Sequence, residues 1–202
     1  MPAGALFLVP AADRRWRPSP YVVGVRQIVL LRGINIGPRN RIAMPALREL
    51  FTGAGFGDVR TYLQSGNVVL SSDADSERLA QQCERRIAQA LGLNVDVIVR
   101  TRDELAGVVR RNPLEEVAVN PKRYQVTFLE SELMPEVVDE LAALAVAEEE
   151  QLIAVGRELY AWHPEGVARS KLSTRLAGRE LGVKATARNW TTTTNLLAMA
   201  DA

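Results

Sequence analysis

Residues 27–70 read QIVLLRGINIGPRNRIAMPALRELFTGAGFGDVRTYLQSGNVVL, and the order of patterns in this stretch decides the fold. QIVLL is a short apolar run, as expected of a strand covered on both faces. RGINIGPRNR (32–41) is a loop rich in Gly, Asn, Pro and Arg. Pro45 suits the first turn of a helix, and Leu47, Leu50, Phe51 and Ala54 give that helix an apolar side. Gly53, Gly55 and Gly57 end it. VRTYL (59–63) then alternates as a strand. QSGN (64–67) is a turn in which Gly66 can take positive φ, and 68–71 returns as the second arm of a hairpin.

The pattern continues outward. Asp75 or Ser76 can cap a helix to Leu91, with Leu79, Cys83, Ile87 and Leu91 on one side and Gly92 as its stop. NVDVIVR (94–100) alternates as a strand, and Thr101 or Asp103 opens a short helix through Arg110. Strand, helix, strand, strand, helix, strand is the split βαβ order of a ferredoxin-like unit. After Asn-Pro pairs at 112–113 and 120–121, the order repeats. RYQVTFL (123–129) is a strand and Pro135 opens a helix. EQLIAV and ELYAW (150–162) form a hairpin around Gly156 and Arg157. A helix follows over 171–181, a very short strand at 185–186, and a closing helix over 190–199 capped by Asn189 or Thr191. The expected fold is therefore α+β, two tandem ferredoxin-like (βαββαβ) subdomains packed together, over 25–115 and 116–202. Residues 1–24 are expected to be a disordered or misassigned N-terminal extension. Their apolar run AGALFLV is short and lacks a basic lead, and the organised pattern starts at Val25, a residue that a GTG start codon would encode.

Composition sets limits on function. The chain has 202 residues, 47% of them hydrophobic and 24% charged, which is enough for a core without disulfides. A net charge of +1 argues against bulk DNA binding. The charge is unevenly placed, however. Eight arginines and no acid lie between Arg14 and Arg48, and six basic residues face only Glu180 between Arg169 and Arg188. No segment has transmembrane length, so a soluble, cytoplasmic protein is expected, and a monomer, because paired ferredoxin-like units can complete each other within one chain. Cys83 is expected in the core. His163, in HPEG, reads as an exposed turn residue, and Glu148–Glu150 as a solvated edge. One histidine leaves no His/Cys metal cluster; a catalytic triad would have to use His163 with Ser65 or Ser170 and Asp96, but the sequence has no GxSxG elbow, and no cofactor is called for.

Three polar segments stand out. The loop with Arg32, Gly33 and Asn35 directly follows a strand, where binding groups are often placed. It is neither a Walker loop nor a dinucleotide fingerprint. It reads equally well as a loop whose Asn satisfies backbone groups. In the turn, Gln64 and Ser65 are less demanded by turn chemistry than Gly66 and Asn67. In TARNWTTTTN (186–195), four threonines at a helix start are unfavourable. Their hydroxyls can cap amides or meet a phosphate, Arg188 can grip an anion bidentately, and Trp190 can stack on a base or pack in the core.

Residues 27–70, together with NP at 112–113, LYAWHPEGVARSKL at 159–172 and TARNWTT at 186–192, resemble the family of domain of unknown function 1697. The resemblance implies an α+β fold of two ferredoxin-like subdomains and no established activity. It marks Arg32, Gly33, Asn35, Gln64, Ser65, Gly66, Asn67, Ser170, Lys171, Arg188, Asn189 and Trp190 as characteristic. The resulting expectation is that Arg32, Asn35, Gln64, Asn67, Arg188 and Asn189 surround one anion-binding cleft between the halves. Gly33, Ser65, Lys171 and Trp190 complete the candidate ligand-binding set. The expected ligand is a nucleotide, another phosphorylated small molecule or a single-stranded nucleic acid. The alternatives are an enzyme acting on a small phosphorylated substrate, and a scaffold without a small ligand. A carboxylate, Glu180 or Asp58, is the structural alternative to a ligand anion beside Arg188.

Overall fold

A computed structural model of the chain describes residues 24–37, 40–145, 149–178 and 181–202, so the proposed N-terminal extension lies almost wholly outside it. The first half contains β1 (Val25–Leu31), α1 (Met44–Gly53), β2 (Gly57–Tyr62), β3 (Asn67–Ser72), α2 (Ser76–Leu91), β4 (Val97–Thr101) and α3 (Arg102–Arg111). The second contains β5 (Tyr124–Leu129), α4 (Pro135–Ala142), β6 (Gln151–Val155), β7 (Glu158–Trp162), α5 (Lys171–Ala177), β8 (Ala185–Asn189) and α6 (Trp190–Asp201). The two sheets run β2-β3-β1-β4 and β6-β7-β5-β8, and every pairing is antiparallel. This is the ferredoxin-like order, present twice.

Local chemistry explains the boundaries. Pro45 and Pro135 sit in the first turns of α1 and α4, where a missing N–H costs nothing. The Asp75 side chain accepts the Arg78 amide at the start of α2, and Thr101 and Glu104 form a reciprocal capping box on α3. Asn189 caps α6 by accepting the Thr192 amide at 2.8 Å. Two of the threonines behind it turn their hydroxyls onto the helix backbone. Thr193 is fully buried, its hydroxyl donates to the Asn189 carbonyl, and that of Thr194 donates to the Trp190 carbonyl. Two expected lengths change. α5 ends at Ala177, just before Gly178, rather than at 181. β8 runs to Asn189 because its pairing with β5 continues through Val126–Arg188 and Gln125–Asn189.

Three apolar layers result. α1 and α2 cover one face of the first sheet through Leu47, Phe51, Leu79, Cys83 and Ile87. α4 and α5 cover the outer face of the second through Leu141, Leu172 and Leu176. Between the sheets, α3 and α6 contribute Leu105, Val108, Leu196 and Ala200 to a core shared with Ile28, Leu30, Val69, Val126, Phe128 and Tyr160. The central strands are thus buried on both faces; Val68, Val69 and Leu70 are all fully buried. Among the described residues, helices or the other sheet cover both faces of these strands. Cys83 lies in the core as expected, and burial pushes its thiol up to about 12. Among the described residues, no helix is long and apolar enough to cross a membrane.

Candidate functional site

The loop after β1 and the β2–β3 turn come together at one end of the first sheet. Leu30 pairs with Asn67, and the Leu31 amide donates to the Gly66 carbonyl at 2.8 Å. Gly66 has φ 73°, and a Cβ there would lie 2.7 Å from the Leu31 Cβ and 2.8 Å from the Ile34 Cδ1. Only glycine fits. Asn35, itself left-handed at φ 57°, ties loop to turn. Its amide nitrogen donates to the carbonyls of Ile42 (2.9 Å) and Gln64 (2.7 Å), and its oxygen accepts the Ile42 amide (2.9 Å).

Arg188 reaches this cluster from β8 of the other half. Its Nε donates to the Asn67 Oδ1, and its Nη2 donates to the carbonyls of Leu31 (2.8 Å) and Ser65 (3.1 Å). Nη1 donates to the Thr186 hydroxyl (2.8 Å) and the Ala187 carbonyl (2.7 Å). All five N–H groups are therefore used. Every acceptor is uncharged. Burial alone pulls the guanidinium down to about 10, and no carboxylate among the described residues offsets it. Asp58, one expected counter-charge, instead pairs with Arg26 and Arg60 on the surface. Glu180, the other, lies outside the described residues.

A corresponding arrangement links the halves in the other direction. Arg100 stands opposite Ile28 in the β1–β4 pairing, as Arg188 stands opposite Val126 in the β5–β8 pairing. Arg100 donates to the carbonyls of Leu129 (2.7 Å), Arg157 (3.2 Å) and Val99 (3.0 Å). These are the end of β5, the β6–β7 turn and its own preceding residue, the same three kinds of acceptor. The first residue of the receiving strand differs. Arg188 meets Asn67, whereas Arg100 meets the Glu158 carboxylate at 2.9 Å, with Arg111 on the other oxygen at 3.2 Å. Burial lowers the Arg100 pKa as well, but Glu158 acts against it. The two halves thus clasp each other through reciprocal arginines, one against a carboxylate and one with no carboxylate beside it among the described residues.

The family profile described as "Protein of unknown function (DUF1697)" matches residues 25–160. The chain belongs to the DUF1697 family. The match takes in the Arg32 loop and the Gln64–Asn67 turn of this DUF1697 protein; the motifs around Ser170, Lys171 and Arg188 lie beyond it. Among solved structures, the chain is similar to the conserved bacterial protein SP0830 from Streptococcus pneumoniae. Identity is 21%, coverage is 87% of this chain and 98% of that one, and the TM-score is 0.69. At that identity the likeness speaks for the fold. No curated protein matches.

The remaining candidates divide. Arg32 is a tie between halves: its Nη2 donates to the Gly178 (2.7 Å) and Ala177 (3.2 Å) carbonyls at the end of α5, and its Nη1 lies 3.5 Å from Asp96. Asn67 is fully buried, with its nitrogen donating to the Tyr62 carbonyl (3.1 Å) and the Ser65 hydroxyl (2.9 Å). Gly33, Gln64 and Ser65 are exposed at the loop–turn junction. Asn189 is occupied in capping α6, and Trp190 stacks on Tyr124 with ring centroids 4.8 Å apart. Ser170 caps α5, and Lys171 beside it is exposed at the far end of that helix from Arg32. A groove of about 230 Å³, lined by Glu132, Pro135, Val138 and Gly156 among others, contains none of the candidate residues.

Two expectations need correcting. His163 is fully buried rather than exposed, with Nδ1 2.8 Å from the Glu150 Oε1. Glu150 is consequently a buried partner and not part of a solvated edge. The HPEG turn is real, since the Gly166 amide donates to the His163 carbonyl at 2.9 Å, but the ring turns inward from it. Sequence reading also missed Arg100, Glu158, Ile36 and Leu63. Ile36 (77% exposed) and Leu63 (58%) flank Asn35 and Gln64, so the Asn35–Gln64 bond sets both apolar side chains beside the junction. The register that makes Arg100 the counterpart of Arg188 emerges only with β8 extended to Asn189, so the sequence alone carries no signal for it.

Proposed function

We propose that the loop–turn junction of residues 32–37 and 63–66 binds a small phosphorylated molecule, with an apolar or planar part resting against Ile36 and Leu63. One observation carries this reading: the buried Arg188 guanidinium lies directly beneath the Ser65 carbonyl without a described carboxylate beside it. Charge left uncompensated in a protein interior is costly, and an anion at the mouth offsets it. At an effective dielectric of about 20, a unit negative charge about 4–8 Å away gains on the order of 2–4 kcal/mol. Arg188 has no spare donor, so direct contacts fall to the exposed Gln64 and Ser65 and to the backbone around Gly33. A small ligand is favoured over an extended nucleic acid strand, because the central sheet faces are covered.

Binding without chemistry is also favoured over catalysis. Among the described residues no group of three or more His, Cys, Asp or Glu could hold a metal ion, and the junction carries amide, hydroxyl and backbone groups, which make poor bases. The same reading takes the protein as a cytoplasmic monomer, which light scattering checks. Isothermal titration with inorganic phosphate, pyrophosphate and a mononucleotide, alongside single-stranded RNA at two salt concentrations, tests the function. Saturable binding of the small phosphates is expected, weakened about tenfold in a Gln64→Ala/Ser65→Ala double variant. Absence of small-phosphate binding at low salt defeats the proposal, and tight RNA binding alone replaces it with the nucleic-acid alternative.

A further inference from the structure

We infer that Asn67 sets the charge of this site, by giving Arg188 a neutral acceptor at the position where Glu158 gives Arg100 a carboxylate. The inference rests on the phosphate-binding reading above and assigns the origin of its selectivity. The comparison is internal to one molecule. Both arginines occupy the same register in the last strand of their units, and both donate to the end of the facing first strand and to the facing hairpin turn. The receiving residues also correspond: Asn67 pairs with Leu30 and Glu158 with Phe128, each two residues along its strand from the residue that pairs with the opposite arginine, Ile28 with Arg100 and Val126 with Arg188. What differs is the formal charge of the acceptor.

Neither Arg188 nor Asn67 has a polar atom left for a ligand. The five guanidinium N–H groups are filled, and the Asn67 amide is held by Tyr62, Ser65 and Arg188. Both are therefore positioning residues that act through the field at the Gln64–Ser65 surface. A field of this kind discriminates by charge and is insensitive to ligand shape. The site should prefer a phosphorylated molecule to its dephosphorylated counterpart, while Gln64, Ser65 and the apolar pair decide which phosphorylated molecule enters. At the other clasp, Glu158 lies directly against Arg100 and opposes its field, while the second arginine on that carboxylate, Arg111, is half-exposed and screened by water, so that clasp joins the halves with a weaker pull on an anion.

Near-isosteric charge changes test this on the whole protein, with pyrophosphate as the probe. Asn67→Asp places a carboxylate against Arg188, but also against the Tyr62 carbonyl, and can disturb the turn. Thr186→Asp brings a carboxylate to the other side of the guanidinium and leaves every turn bond intact, and Thr186→Asn is its uncharged control. Thermal melts establish that each variant is folded. Loss of roughly tenfold to hundredfold in pyrophosphate affinity is expected in Asn67→Asp and Thr186→Asp, with Thr186→Asn close to wild type. A merely structural role for these positions would move the Asp and Asn variants of Thr186 together. If wild type binds pyrophosphate and a folded Thr186→Asp binds equally well, the role of Asn67 is overturned while the site stands. If wild type does not bind, the phosphate reading itself has failed.

Discussion

The two hairpins that receive the arginines differ in shape as well as in charge. The β2–β3 turn spans residues 63–66, holds Leu63 at φ 55° with its side chain 58% exposed, and wedges Gly66 against β1. The β6–β7 turn is two residues, Gly156 and Arg157. There the nearest atom to a Cβ on Gly156 would be the Glu132 Oε1 at 3.6 Å, an ordinary contact. One clasp is electrically closed and sterically relaxed; the other is electrically open and sterically tight. Duplicated architecture supplies two equivalent junctions, and a fold needs only that both hold. Departure from charge balance among the described residues of one of them, together with exposed Gln64, Ser65, Ile36 and Leu63, is what the proposed binding surface is built on.

This contrast can be broken at several points. Glu158→Ala should have the largest effect, since it strands the buried Arg100 and removes the partner of Arg111. A loss of about 3–5 kcal/mol is expected in urea unfolding, and a loss below about 1 kcal/mol would show that the neutralised clasp is not structural. Gly66→Ala comes next, at about 3 kcal/mol, from left-handed strain plus overlap with Leu31 and Ile34. Gly156→Ala provides its control, at about 1 kcal/mol from strain alone; equal costs would erase the steric half of the contrast. Arg188→Met should cost least of the three clasp changes, about 2 kcal/mol. The carbonyls of Leu31, Ser65 and Ala187 lose a donor, but a desolvated charge disappears with it. A cost equal to that of Glu158→Ala would point to a counter-charge at Arg188.

Much of the fold could be read from the chain because its signals are local. Pro45, Pro135, Asp75 and Thr101 act within one turn of their own position, and the apolar alternation of 94–100 depends only on strand geometry. The same alternation misleads at Arg100. Ile98 and Arg100 share a face that looks like a polar or mixed surface until the second sheet, α3 and α6 cover it. Arg188 was singled out, but its partners Asn67 and Leu31 lie 121 and 157 residues away. No spacing rule links them. Asn35 was read both as a ligand donor and as a loop anchor, and its three bonds show it acting as the anchor. His163 failed for a related reason: turn composition describes the backbone at HPEG, while the ring's environment is set by Glu150 on the neighbouring strand region.

α6 lies between the two sheets and is translated after every other described element. Until Trp190 and the residues behind it have left the ribosome, Ile28, Leu30, Val69 and Ile98 lack a cover that no earlier helix can fully supply. The first unit can complete its pairings and its α1–α2 layer early, yet it must wait with one oily side turned outward for the last dozen residues to arrive. Loss of α6 would therefore be felt in the first unit, far from it along the chain.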